Sequence, residues 1–130
     1  MSRTRTHVIV AAVSVALLLG AWPVAAHHNL VTQFDIDKPV TLRGTLTKME
    51  WVNPHGWIYL DVDRGDGQVE SWAIETGSVA RMAAGGLKKA DFQPGIEIIV
   101  IGFAGRKGAP EAAGFTVTFA DRQASFLLGR

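Results

Sequence analysis

The chain has 130 residues and no cysteine, and its 13 lysines and arginines nearly balance its 12 aspartates and glutamates. The absence of cysteine excludes disulfide bonds, thiolate metal sites and thiol catalysis. The balanced charge offers no basic stripe that would neutralise many phosphates, so we expect no nucleic-acid partner. After removal of an N-terminal segment, the remaining length is that of one domain.

Residues 1–26 have the layout of a secretory signal peptide. Arg3 and Arg5 supply a positively charged start. Residues 8–19 are apolar or small, with a single polar residue among them, and small residues occupy positions 24–26. The apolar run is shorter than the roughly 20 residues that a membrane-spanning helix needs. We expect a cleaved Sec-type signal peptide and a periplasmic or secreted protein without a stable membrane anchor. An uncleaved N-terminal anchor is the alternative.

Cleavage after Ala26 places small residues at both positions that the signal peptidase reads, and the mature chain then begins at His27. Cleavage after Ala25 would place Pro23 at one of those positions, which is a poorer fit. Residues 27–38 lack a clear period and are interpreted as an extended N-terminal segment. The folded domain is predicted to span 39–130.

The first periodic stretch begins at Pro39. Apolar or small residues at 40, 42, 44 and 46 alternate with polar ones, which indicates a half-buried strand. Gly44 within this strand predicts a bulge or a sharp bend. After Thr47 the apolar pattern continues through Met49 and Trp51, at odd-numbered instead of even-numbered positions. Such a phase change is typical of a bulge.

The rest of the domain alternates turns and short elements. Asn53 to Gly56 and Arg64 to Gly67 are turn sequences, because Asn-Pro and Asp-Gly favour tight turns. Ser78 is a candidate N-cap for a short helix over 79–84, and Gly85-Gly86 would end it. The other predicted elements are strands at 57–63, 69–76, 96–103 and 114–120, a further helical turn within 87–92, a loop at 105–110, and a tail at 125–130 that packs back on the domain.

Three strands, a short helix and two more strands define a mainly β fold. A long, bent first strand and a helix between strands three and four favour a five-stranded, OB-like small barrel. An open antiparallel sheet or a small sandwich is the alternative.

Several segments carry a resemblance to a known family. The Ala-His-His start at 26–28, the segment 37–44 and the Trp-x-Asn-Pro-His segment at 51–55 are similar to an uncharacterised family of exported bacterial proteins, domain-of-unknown-function family 6152. Later blocks at 72–78 and 94–95 extend the resemblance over nearly the whole mature chain. It implies an exported OB-like domain, and it implies no activity or ligand.

A candidate ligand surface lies around the first turn. OB barrels bind ligands near their first loop, and aromatic rings there stack on flat or sugar-like ligands. The residues that we assign to this surface are His55, Trp57, Tyr59, Trp51 and Asn53. The alternative is structural: His55 closes the turn, Trp51 and Trp72 belong to the core, and Tyr59 is a cross-strand partner.

Histidines at the mature terminus provide a candidate metal site. If cleavage leaves His27 first, its α-amine and imidazole can chelate one ion, and His28 or His55 would complete a site of the kind that copper(II) favours. If the chain begins at Ala26, His28 becomes its third residue and forms a square-planar site for copper(II) or nickel(II). A flexible, solvated terminus without metal is the alternative.

Other chemistry finds little support. Asp61, Asp63 and Asp66 do not match a calcium loop, nothing in the sequence joins Glu50 to Glu75, and there is no phosphate loop or nucleophile elbow. We therefore expect a periplasmic, non-catalytic binding module for a small molecule or partner protein. The alternatives are a periplasmic copper-binding protein and a redox component or enzyme built on the same copper site.

Overall fold

A computed structural model describes residues 30–122 and 124–129 of the chain. The predicted signal peptide and the predicted metal ligands His27 and His28 lie outside these residues. No helix of the described part is long and apolar enough to cross a membrane.

The described chain consists mainly of β-strands joined by short loops. A single helical turn, α1 (Leu30–Gln33), leads directly into the first strand, and a short helix, α2 (Val79–Ala84), precedes a 3-10 turn at Lys89–Asp91. The strands are β1 (Phe34–Glu50), β2 (Trp57–Asp63), β3 (Val69–Glu75), β4 (Glu97–Gly105), β5 (Glu111–Phe119) and β6 (Ala124–Leu127).

Five of the strands form a closed ring. β1 pairs with β2 through its second half and with β4 through its first half, so it belongs to both sides of the ring. β5 pairs antiparallel with β4 and, through Glu111 to Ala113, parallel with β3, and this last pairing closes the ring. The predicted mainly β fold, with five strands closed into a ring and a helix between β3 and β4, is therefore confirmed, and a sixth strand lies outside the ring.

The β-bulge in β1 lies where the sequence predicts a phase change. The register between β1 and β2 shifts between Leu46 and Lys48. A side chain at Gly44 would come within 2.2 Å of the Asp61 carbonyl oxygen, so only glycine permits the two strands to approach this closely. The bulge and the close approach together let one 17-residue strand serve two neighbours.

The ring encloses an apolar core. Leu46, Ile58 and Ile74 are fully buried on its inner face, and Met82 of α2 and Phe92 contribute to the same cluster. Outward side chains alternate with these along β2, as a half-buried strand requires. Burial of this apolar surface, at about 25 cal/mol per Å², is the main stabilising term for a domain without disulfides.

The structure extends several elements beyond their predicted bounds, and β4 ends at Gly105 rather than at Phe103. β1 begins at Phe34 rather than at Pro39, because Phe34 is buried and pairs with Gly105. β5 begins at Glu111 rather than at Gly114, because its small first residues fit against β3. The tail forms a sixth strand, β6, which pairs with the end of β5 in addition to packing on the core through Leu128.

Candidate functional site

The turn between β1 and β2 places His55 at the outer surface of the ring. The Asn53–Pro54 peptide bond is cis, and the Asn53 Oδ1 atom accepts a hydrogen bond of 3.1 Å from the Val79 amide at the start of α2. Gly56 is buried and exchanges backbone hydrogen bonds with the chain that follows β3. The turn is thus fixed from two sides by parts of the chain distant in sequence.

Glu75 lies beside this turn at the end of β3. It is paired with Trp57 on one side and with Ala113 on the other, at the point where the ring closes. Its side chain is only 7% exposed although it projects from the outer face, and its Oε1 atom is in direct contact with Nδ1 of His55. The His55 side chain itself is 38% exposed.

This pair fixes the role of each imidazole nitrogen. An ionised carboxylate only accepts hydrogen bonds, so Nδ1 of His55 is the atom that carries the hydrogen. Nε2 is then left as an acceptor or metal ligand when the ring is neutral, and as a second donor when it is protonated. Within residues 30–122 and 124–129, Nε2 makes no hydrogen bond or ion pair of its own.

An open pocket of about 360 Å³ lies over the pair, and we call it the His55 pocket; its lining residues are Gln33, Pro54, His55, Trp57 and Glu75. A neighbouring depression of about 250 Å³ shares His55 and Pro54 with it and is also lined by Leu30 and Arg81. The pocket has a carboxylate and an imidazole against an indole, a combination that provides polar recognition together with an apolar stacking surface.

The helical turn α1 forms one wall of this region and is held by the loop after β4. The Arg106 amide donates to the Gln33 carbonyl at 2.9 Å, and its Nε atom donates to the Val31 carbonyl at 2.8 Å. These two bonds satisfy carbonyl groups at the end of a helix too short to satisfy them itself. Arg106 thereby fixes where the chain enters the barrel.

The structure brings together only part of the predicted ligand surface. Trp57 lines the His55 pocket. Tyr59 follows on the same face of β2 but lies outside the pocket, with Lys48 Nζ 5.2 Å from its ring centre. Trp51 packs on the core with its ring centre 6.0 Å from that of Phe92. Their roles in ligand binding stay predictions.

The acidic residues of β2 and its hairpin have local partners. Asp63 and Asp66 accept hydrogen bonds from the Gly65 and Gln68 amides, and Asp61 accepts one from the Ser71 hydroxyl. These contacts stabilise the turn and the strand pair. The described part of the chain contains no group of three or more metal-ligating side chains.

Glu50 is separated from Glu75 by one strand, because Trp57 of β2 pairs with both residues. Its carboxylate is engaged elsewhere: the hydrogen bond from Lys48, and then its charge, hold the pKa of Glu50 below its usual value against the opposing effect of desolvation. Glu50 therefore stays ionised and paired, and it does not form an acid pair with Glu75.

Sequence reasoning did not assign Glu75, Gln33 or Arg106 to the site. For Glu75 a usable indication existed, because the tight hairpin at 64–67 sets the register of β2 and β3 and so pairs residue 75 with Trp57. No pattern indicates Gln33 or Arg106, because their positions depend on where α1 meets the loop after β4.

Fold and site together define a small, closed β-ring protein with an open His–Glu–Trp pocket on its outer face. The family model described as "Family of unknown function (DUF6152)" matches residues 14–115, and the chain belongs to this family. The resemblance seen in the sequence is thereby confirmed. No curated protein and no solved structure matches the chain.

Proposed function

We propose that the chain is an exported, non-catalytic, OB-like binding module that presents the His55 pocket to a small molecule or to a partner protein. The observation that carries this proposal is the Glu75–His55 pair at the base of an open pocket beside Trp57. The signal-peptide layout of residues 1–26 supports the export part of the proposal.

The energetics of Glu75 support a recognition role. A carboxylate removed from water is costly, and replacing a buried ion pair by apolar residues is often neutral or stabilising. Glu75 points outward next to Trp57 and Ala113, where an apolar side chain would suit stability alone. A polar group kept at such a position is well suited to orient an imidazole for a ligand.

A ligand-observed NMR screen of small aromatic and carbohydrate fragments tests this proposal on the exported, processed protein. We expect fragments that compete with one another for one site and that lose binding at least tenfold in Trp57→Ala and His55→Ala. Ile101→Ala is the matched control, because Ile101 is an exposed apolar side chain on β4 and does not line the pocket.

Two results would overturn the proposal. One is a set of fragments that bind Trp57→Ala and His55→Ala as tightly as the wild-type protein. The other is a set whose binding falls equally in Ile101→Ala, which would mark general surface adhesion. Circular dichroism of each variant confirms that the ring is folded before binding is compared.

A further inference from the structure

We propose that the ligand of the His55 pocket is a small aromatic carboxylate, whose carboxylate group is bound by Arg81 and by Nε2 of His55 and whose ring lies against Trp57. This inference rests on the proposed function, because it names the ligand class of the same pocket. It gives a ligand-binding role to Arg81, a residue that the sequence does not assign to the site.

The first argument is the position of Arg81 on α2. It lines the depression of about 250 Å³ that shares His55 and Pro54 with the His55 pocket, and we call this hollow the Arg81 depression. Arg81 is exposed, and among residues 30–122 and 124–129 its guanidinium has no ion pair or hydrogen bond. The described residues that line the depression include no aspartate or glutamate, so the charge of Arg81 is available to a ligand.

The second argument is the orientation of His55. Its Nδ1 atom is in direct contact with Glu75, and its side chain is partly exposed. A protonated imidazole donates from both nitrogens, so Nε2 is the donor that remains for a ligand. Because His55 lines both hollows and Arg81 lines one of them, guanidinium and imidazolium can donate to the two oxygens of a single carboxylate.

The charges around the two hollows favour an anion over a cation. Glu75 is the one acidic side chain that the described part of the chain contributes to either lining, and it is mostly buried and in contact with His55. With the imidazole protonated, two cationic groups face one carboxylate, and a cleft with such a surplus attracts the opposite charge. The planar fork of Arg81 matches a carboxylate in particular, because it donates two parallel hydrogen bonds.

The third argument is the apolar surface beside these donors. Trp57 lines the His55 pocket, and Leu30 and Pro54 line the Arg81 depression. Aromatic rings pack on an indole in offset or edge-to-face arrangements, which adds to the free energy of burial. Since His55 belongs to both linings, a carboxylate joined to a ring by a short spacer reaches from the one hollow into the other.

The base of the Arg81 side chain is held in place by the tail of the domain. The Gly77 amide, just before α2, donates a hydrogen bond of 2.8 Å to the Leu128 carbonyl. Gly129 packs so closely that a side chain there would come within 2.6 Å of the Arg81 Cβ atom. A donor that the fold already positions loses less conformational entropy when a ligand binds.

The test is an NMR titration of the exported, processed protein with cinnamate and with cinnamamide, its neutral analogue of nearly the same shape. It is run at about pH 6, within the range over which histidine side chains take up a proton. We expect cinnamate to bind about tenfold more tightly than cinnamamide, because only the carboxylate accepts charge-assisted hydrogen bonds from both donors. Acetate, which lacks the ring, should bind about tenfold more weakly than cinnamate.

Substitutions at Arg81 separate its charge from its shape. Arg81→Gln should lower the affinity for cinnamate about tenfold and leave that for cinnamamide nearly unchanged, which also shows that the variant is folded. Arg81→Lys should lower the affinity for cinnamate about threefold, because an ammonium group keeps the charge but lacks the planar fork. Lys89→Gln is the matched control: Lys89 is also exposed and without an ion pair in the described chain, and it lines a separate depression beside Phe92.

Three outcomes overturn the inference: cinnamate that binds no more tightly than cinnamamide or not at all, wild-type affinity for cinnamate in Arg81→Gln, or an equal loss in Lys89→Gln, which would show that affinity follows net charge. The fragment screen on Trp57→Ala and His55→Ala stays separate from all three. Neutral fragments that depend on Trp57 and His55 would then uphold the binding module and reject the carboxylate. Fragments that ignore both substitutions would reject the module itself.

Discussion

The two turns that flank β2 are built in different ways. Gly56, at the turn before β2, is buried, and a side chain there would come within 2.8 Å of the Thr76 hydroxyl and 3.0 Å of the Glu50 carbonyl. Gly65, at the turn after β2, has a φ of 82° and no atom within 4 Å of where a side chain would begin. The first glycine is required by tertiary packing and the second by local backbone geometry.

This difference separates the part of the molecule that carries a site from the part that only reverses the chain. The turn at 64–67 closes on itself through Asp63 and Asp66. The turn at 53–56 is fixed instead by α2 and by the residues after β3, and those contacts place His55 against Glu75. A side chain held by several elements is the kind of group that can be pre-organised for a ligand.

The sharpest test of the comparison is to add one methyl group to each turn. Gly56→Ala should lower the free energy of unfolding by about 3 kcal/mol, because the close atoms belong to Thr76, the Glu50 backbone and Met82 in a packed interior. Gly65→Ala should cost only about 1 kcal/mol, the strain of a left-handed residue. Urea denaturation measures both; equal losses would contradict the distinction.

The next largest effect concerns the side chain that links the first turn to α2. Asn53→Ala removes the acceptor of the Val79 amide and should cost about 1.5 kcal/mol. Asn53→Asp, which keeps the acceptor, should restore most of that stability. If Asn53→Ala unfolds at the same urea concentration as the wild-type protein, the hydrogen bond between the turn and α2 does not contribute to stability.

A third turn, at Lys88–Asp91, combines both kinds of contact. Burial alone would raise the pKa of Asp91, but the Lys88 amide and the Arg122 guanidinium outweigh it and hold that pKa below its usual value. The carboxylate therefore stabilises the fold above its ordinary unfolded pKa of about 3.9. This stabilisation is lost as the pH falls through the lower folded value.

Asp91→Asn should accordingly cost about 1 kcal/mol at pH 7, from the weakened cap and the lost ion pair. The difference from wild type should shrink as the pH falls below about 4. Unfolding by urea at a series of pH values measures this. A difference that is the same at pH 3 and pH 7 would show that the charge of Asp91 does not contribute.

The smallest expected effect is in the hairpin. Asp63→Ala removes a hydrogen bond of 2.7 Å to the Gly65 amide on an exposed turn and should cost about 0.5 kcal/mol. Binding to the His55 pocket should be unchanged, because the hairpin lies at the other end of β2. A large loss of fragment binding in this variant would contradict the independence of the two turns.

The parts of the fold predicted from sequence are those with a strong local pattern. β2 and α2 have the predicted bounds, since alternation in the one and a Ser78 cap with a following Gly85 in the other are visible in the chain. The bulge in β1 could also be predicted from the sequence, because the apolar residues change from even-numbered to odd-numbered positions after Thr47. Trp57 and Tyr59 on one outer face follow from the same alternation.

The sequence does not predict the start of β5 or the existence of β6. Ala112 and Ala113 carry no strand pattern, and they become strand residues because β3 lies beside them when the ring closes. The single turn α1 depends in the same way on Arg106, a residue far along the chain. Contacts of this kind have no periodicity in the sequence.

By itself the sequence determined a mainly β domain, its five-stranded ring and the presence of an imidazole and an indole near the first turn. Tertiary structure alone decided that Glu75 meets His55, because their contact joins the turn before β2 to the end of β3 at the ring closure. Local pattern fixes which face a side chain takes, whereas closure of the ring fixes which side chains meet.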